Sequence, residues 1–215
     1  MSAGFLPSRH GFAFTNTWPS QAAILLPAGS RRLGIGNAAR GLCGGMVFAA
    51  ADYWQAQVEP PSARPEAGTP LYQFIVRRLI DSWQLPAGVL RYYHWMSRPD
   101  AEVARRSIHG QWPRIQASLD AGQPAALGIV TVATAWPGAL GRNHQVLAYG
   151  CAIAGSTVSV RVYDPNSGPD DDVRISFRTA GPASRPVFEH NLRIGWPVRG
   201  FFLTGYSPAV PPAGG

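Results

Sequence analysis

Three side chains in this sequence have the types and settings that nucleophilic acyl chemistry requires: Cys43, His144 and Asp164. Cys43 stands in the run Gly41-Leu42-Cys43-Gly44-Gly45-Met46, directly before the apolar stretch Val47-Phe48-Ala49-Ala50-Ala51-Asp52-Tyr53-Trp54. That stretch has the apolar density of a buried helix, so the sulfur falls in its first turn. Unpaired N–H groups and the positive end of the helix dipole favour a thiolate there. Glycines at 41, 44 and 45 leave the sulfur unshielded and let another backbone approach closely. A thiol nucleophile needs a base, and the base needs an orienting partner. His144 opens the apolar run Gln145-Val146-Leu147-Ala148-Tyr149-Gly150, and the next strand-like segment ends in Tyr163-Asp164-Pro165-Asn166. In an antiparallel pair the start of one strand lies beside the end of the next, so Asp164 can accept an N–H from either ring nitrogen of His144. Each residue also has a plain structural reading: a small buried thiol, a strand-end histidine, an Asp-Pro-Asn turn. Their order along the chain, with the thiol on a helix start and the other two on adjacent strands, carries the chemical reading.

The elements that must position these groups follow from periodicity. A first helix starts near Cys43 and ends before the proline-rich loop 59–70. Leu71 to Trp83 has helical spacing, Asp100 to Ile108 follows the Pro99-Asp100 start signal, and Trp112 to Ala121 stops at Gly122. Strands are then expected over 125–132, 143–151, 158–163, 173–177 and 200–206. The stretch 11–16 alternates weakly, as a short strand or an extended arm. Helices first and strands afterwards predict an α+β domain with a mainly antiparallel sheet. The expected organisation is an N-terminal arm or strand at 1–36, a catalytic domain at 37–206, and a flexible tail at 207–215.

The chain has 215 residues and a formal charge of +7, all of its basic residues being arginine. The arginines are scattered, with pairs only at 31–32, 77–78 and 105–106, so no dense basic block points to nucleic acid. No apolar run approaches the roughly 18 residues of a membrane span. The first residues lack a basic region followed by an apolar core, so the expected location is the cytoplasm, or outside it by a route without a classical signal peptide. The abundance of Ala, Gly, Pro and Arg fits codon bias in a GC-rich genome.

The chain resembles the papain-fold cysteine peptidases, and within them the C39-like branch. Three segments carry the likeness: Gly41 to Met46, Asn143 to Gly150, and Val162 to Asn166. Between them, Ile115 to Pro124 is similar to the helix, glycine and proline that lead into that family's central strand. The similarity spans about residues 35 to 166. It implies a papain-like fold in which helices pack on a mainly antiparallel sheet, with Cys43 as nucleophile, His144 as base and Asp164 as orienter. It implies hydrolysis of peptide or amide substrates without a cofactor. Family members place an oxyanion donor, usually Gln, a few residues before the cysteine. Here Asn37 stands in that region, one methylene shorter, with Gln21 and Asn16 as weaker substitutes. Glutamine deamidation or acyl transfer by a toxin or effector would use the same groups, and a papain-fold binding module without turnover is the reading from another class.

Cys151 lies seven residues beyond His144, roughly 23 Å away along an unbroken strand. If His144 touches Cys43, Cys151 cannot also bridge it, so a free, buried Cys151 is expected. The run Asp170-Asp171-Asp172 lacks the spacing and glycine of a Ca²⁺ loop. His94, His109 and His190 have no partner at zinc-site spacing, and Gly34-Ile35-Gly36 lacks the rest of a phosphate-loop fingerprint. No metal is therefore expected. Trp54, Trp112, Trp136 and Trp196 are the tryptophans considered for a substrate groove.

Overall fold

The computed structural model describes residues 4–18, 24–28, 31–35, 41–180 and 187–213. Its elements run α1 (Pro7–His10), β1 (Ile24–Ala28), β2 (Arg31–Ile35), α2 (Cys43–Gln55), α3 (Pro70–Ser82), α4 (Ala87–Met96), α5 (Asp100–Arg105), a π-helical turn (Arg106–Gln111), α6 (Trp112–Asp120), β3 (Ala125–Val130), a 3-10 turn (Pro137–Arg142), β4 (His144–Ala154), β5 (Thr157–Tyr163), β6 (Arg174–Arg178), β7 (Glu189–His190) and β8 (Gly200–Leu203). The class is α+β. A six-stranded sheet of order β7-β6-β5-β4-β3-β8 is antiparallel at every pairing, and β1 and β2 form a separate hairpin.

Apolar faces sort the elements around the sheet. On one side, Met46, Val47, Phe48 and Ala50 of α2 and Phe74, Ile75 and Leu79 of α3 form a cluster with Leu147 and Tyr149 of β4. On the other, Ile115 and Leu119 of α6 meet Val146, Ala148 and Cys151 of β4 and Phe201 of β8. The switch from even to odd positions along β4 follows its register shift between Ala148 and Gly150, because one extra residue reverses the side-chain alternation beyond it. At Gly45 a Cβ would overlap the carbonyl of Ile75, so glycine lets the α3 backbone approach the helix that carries Cys43.

The stretch 11–16 is extended rather than a strand and, with the short α1 before it, belongs to the core: Phe5, Phe12, Phe14 and Trp18 are buried against α2 and Tyr163. Asp171 holds it from outside by accepting from the N–H (2.9 Å) and hydroxyl (2.6 Å) of Ser8, which gives one member of the acidic run 170–172 a structural role.

Two sequence expectations, the helix break and the flexible tail, need correction, and one helix had no sequence expectation at all. The segment Ala87–Met96 is a helix, with Gly88, Tyr92, Trp95 and Met96 buried at helical spacing; its aromatic run fits strand propensity equally well, which hid the pattern. The two helices expected at 100–108 and 112–121 are joined. Pro113 has no N–H for the carbonyl four residues back, and its ring would collide with that carbonyl in an α-helix. The preceding turn widens instead, and Trp112 N–H bonds to Ser107 O. The tail expected to be flexible from residue 207 is docked on α2 and α3. Ser207 O accepts from Arg78 (2.8 Å), Ala209 N–H donates to Asp52 (2.9 Å), and Pro212 O accepts from the Tyr53 hydroxyl (3.1 Å). The last strand, expected to run to 206, ends at Leu203; beyond it the backbone N–H and the hydroxyl of Thr204 both bond to Ala126 O (2.9 Å each).

Candidate active site

Cys43 is the first residue of α2. The helix begins without a side-chain cap, and Gly41, two residues earlier, has φ +95°, a backbone conformation suited to glycine. No partner for the Cys43 N–H occurs among the described residues. The thiolate accepts the backbone N–H groups of Gln145 and Gly44 and hydrogen-bonds the His144 ring. Burial pushes the thiol up, but the charge and hydrogen bond of His144 and the two N–H groups outweigh it, and the pKa lies below the ordinary value.

His144 is the first residue of β4, facing Ile129 of β3 in the register. Its Nε2 lies 2.7 Å from Oδ1 of Asp164, so Nδ1 is the ring nitrogen left for Cys43. The imidazole is buried, which disfavours its charge. The negative Cys43, the hydrogen bonds to Asp164 and Cys43, and the charge of Asp164 reverse that, and its pKa is pushed up to about 10. Sulfur and imidazole therefore favour the thiolate–imidazolium pair.

Asp164 follows the end of β5 and has no exposed surface. Its Oδ1 accepts Asn166 N–H (2.9 Å), and its Oδ2 accepts Arg193 N–H (2.9 Å) and the Ser167 hydroxyl (3.3 Å). Burial raises the carboxyl. The hydrogen bond and charge of His144 and the two backbone N–H groups more than offset this, and the pKa is lowered.

The three residues singled out from the sequence thus come together. Asn37 and Gln21 lie outside the described residues. Asn16, the other substitute, is drawn into the site. Its Oδ1 accepts Leu42 N–H (2.6 Å) and Trp18 Nε1–H (2.9 Å), and its Nδ2 donates to Asn166 Oδ1 (3.1 Å). The amide lies against Gly41 and lines a cleft of about 480 Å³ that also contains Cys43 and His144. Of the four tryptophans, Trp136 and Trp196 line this cleft and are 64% and 50% exposed, whereas Trp112 is buried in the core and Trp54, on α2 itself, packs partly buried against the core cluster. Arg142 and Arg193 complete the rim, with the Arg142 guanidinium 5.6 Å from the Trp196 ring centre.

Two contributors carried no sequence signal. The Arg193 backbone reaches Asp164 from a loop with no regular structure. The Tyr92 hydroxyl donates to His144 O at 3.1 Å, and burial and the nearby Cys43 charge hold this phenol well above its usual pKa, so it remains a donor. Neither cysteine is in a disulfide; Cys43 is partly exposed and Cys151 buried. No cluster of three or more potential metal ligands occurs among the described residues, nor any helix long and apolar enough to cross a membrane.

No family model, curated protein or solved structure matches this chain.

Proposed function

We propose that the protein is a thiol-dependent amide hydrolase of papain-like type, acting on peptide substrates. One observation carries the reading: the His144 ring hydrogen-bonds Asp164 through Nε2, 2.7 Å away, and faces the Cys43 sulfur with its other nitrogen. In the proposed cycle Cys43 Sγ attacks the substrate carbonyl, the C–N bond breaks, and the imidazolium gives its Nδ1 proton to the leaving amine. His144 then takes a proton from water, whose oxygen attacks the thioester carbonyl; the C–S bond breaks, the acid leaves and the thiolate–imidazolium pair is restored. Charge on the tetrahedral oxygen is met by the Cys43 N–H and the second hydrogen of Asn16 Nδ2. Asn16 takes the role for which Asn37 was considered. The rim of Trp136, Trp196, Arg142 and Arg193, whose only neighbouring carboxylate among the described residues is the buried Asp164, favours segments with apolar or acidic side chains.

The test is alkylation of Cys43 by iodoacetamide as a function of pH, read site by site in wild type and His144→Ala, followed by cleavage of a peptide library by wild type and Cys43→Ala. Fast labelling at about pH 5–6 that disappears in His144→Ala is expected, with cleavage that Cys43→Ala abolishes. Labelling that rises only above about pH 8 in both proteins would overturn the reading and leave a binding module. A deamidated glutamine without chain cleavage would move the activity from peptide hydrolysis to side-chain amide hydrolysis.

A further inference from the structure

A second cavity, of about 390 Å³, shares no lining residue with the Cys43 cleft and is built from α4, the end of α5, the π turn and α6. Arg91, Arg105, Arg106, Arg114 and His109 surround it, and Trp95 forms an apolar wall. Glu102 matches one of these arginines, Arg106, at 2.7 Å. The other three form no ion pair with a carboxylate among the described residues. Arg91 donates to Leu203 O (2.9 Å) and stands 5.4 Å from the Phe202 ring centre, which fixes its position. Arg105 and Arg114 are exposed and make no hydrogen bond or ion pair among the described residues.

The π turn brings these arginines together. Arg105 and Arg114 are nine residues apart, which in an unbroken α-helix is a rotation of about 900° and puts them on opposite faces. The residue absorbed by the wider turn takes back about 100°, which returns Arg114 toward the face of Arg105. Gathering like charges costs repulsion, and a concave site of one sign with a low-dielectric wall concentrates anions. Glu102 also feels this field. The hydrogen bond from Arg106, against slight desolvation, and then the charges of Arg106, Arg98 and Arg105 hold its carboxyl below the ordinary value.

We infer that this cavity binds a small ligand bearing several phosphate groups. A single carboxylate would neutralise one of the three unmatched guanidinium groups, whereas linked phosphates present enough charge and oxygen acceptors for all of them, in the forked geometry that arginine suits. A volume of this size admits a few phosphate units rather than a polymer.

The experiment is calorimetric titration of the full chain with inorganic tripolyphosphate at several salt concentrations, in wild type and in the double variant Arg105→Gln/Arg114→Gln. Vesicles carrying a polyphosphorylated lipid headgroup and a single-stranded oligonucleotide serve as the other titrants. The two arginines are exposed and make no hydrogen bond or ion pair among the described residues, so the variant should keep the wild-type Tm. Saturable one-site binding that weakens with salt and falls at least about tenfold in the variant is expected. Absence of binding, or equal affinity in the variant, overturns the site. Binding to the vesicles but not to soluble tripolyphosphate, or tighter binding to the oligonucleotide, overturns the small-molecule assignment.

Discussion

Nε2 of His144 lies 2.7 Å from Oδ1 of Asp164, and that carboxylate is held in turn by the N–H groups of Asn166 and Arg193. The arrangement settles a choice the histidine would otherwise keep open. With Nε2 engaged, the ring cannot turn without breaking a buried charge-assisted bond, so Nδ1 stays directed at Cys43.

The first consequence is a pH window for Cys43. A lowered thiol pKa means that stabilisation from the thiolate is present above the unfolded thiol value and is lost as pH falls through the folded one. The imidazole pKa, raised to about 10, works in the opposite sense: its contribution is full below the unfolded value of about 6.5 and is lost as pH rises through about 10. The pair titrates as a unit. Alkylation of Cys43 should therefore change little between about pH 6 and 8, where a free thiol of pKa near 8.5 would accelerate steeply. A steep rise over that range would contradict the ion pair.

Removing the charge of Asp164 should act on both activity and acid stability. Asp164→Asn leaves the ring without its anionic anchor, and kcat on a peptide cleaved by the wild type should fall by about 10²–10⁴. The carboxyl pKa is lowered, so its stabilisation is present above the unfolded value near 3.9 and is lost as pH falls through the folded value. The Tm of the wild type should drop on acidification more than that of Asp164→Asn. Parallel Tm curves would mean that the carboxylate charge contributes nothing to folding.

Asn16→Asp separates holding the helix start from stabilising an oxyanion. The carboxylate can still accept Leu42 N–H, but it has no N–H to offer the substrate. Loss of one oxyanion donor should lower kcat by about 10²–10³ with a smaller change in KM. Equal kcat in the variant would remove Asn16 from the proposed mechanism.

The C-terminal segment should matter to stability through Asp52. This fully buried carboxylate on α2 pairs with Arg78 of α3 at 2.7 Å and accepts from the Tyr206 hydroxyl (2.7 Å) and Ala209 N–H (2.9 Å). Asp52→Ala leaves the buried Arg78 guanidinium with the half-exposed Asp81 (2.8 Å) and Ser207 O as its partners, and chemical denaturation should show a loss of about 3 kcal/mol, the lower end for a broken buried pair. A loss below about 1 kcal/mol would mean that the docked tail and Arg78 find other partners at little cost.

The α2 helix was readable because ten of its residues are buried and its start is written locally in glycine and leucine. The strands were readable because β3 and most of β4 are buried on both faces, which leaves apolar runs with little ambiguity. Asn16 was hard to place because nothing periodic connects it with Leu42, 26 residues away. The join between α5 and α6, expected as two helices ending at Ile108 and starting at Trp112, escapes for a different reason: Pro113 is met by a widened turn that satisfies its steric demand without a break.

By itself, the amino-acid sequence determined the α+β class, the order of helices α2, α3, α5 and α6 and of strands β3, β4, β5, β6 and β8, and the placement of Cys43 on a helix start and of His144 and Asp164 at neighbouring strand ends. These follow from side-chain period, glycine and proline placement and the polarity of antiparallel pairing, all of which act over a few residues. Only the tertiary structure decided which ring nitrogen meets Asp164, that Asn16 reaches the Cys43 cleft, that the C-terminal segment docks on Asp52, and that four arginines share one cavity. Each of these joins residues far apart in the chain through one hydrogen bond, ion pair or helix rotation. Such contacts leave no local pattern, because their energy arises only after the intervening chain has folded.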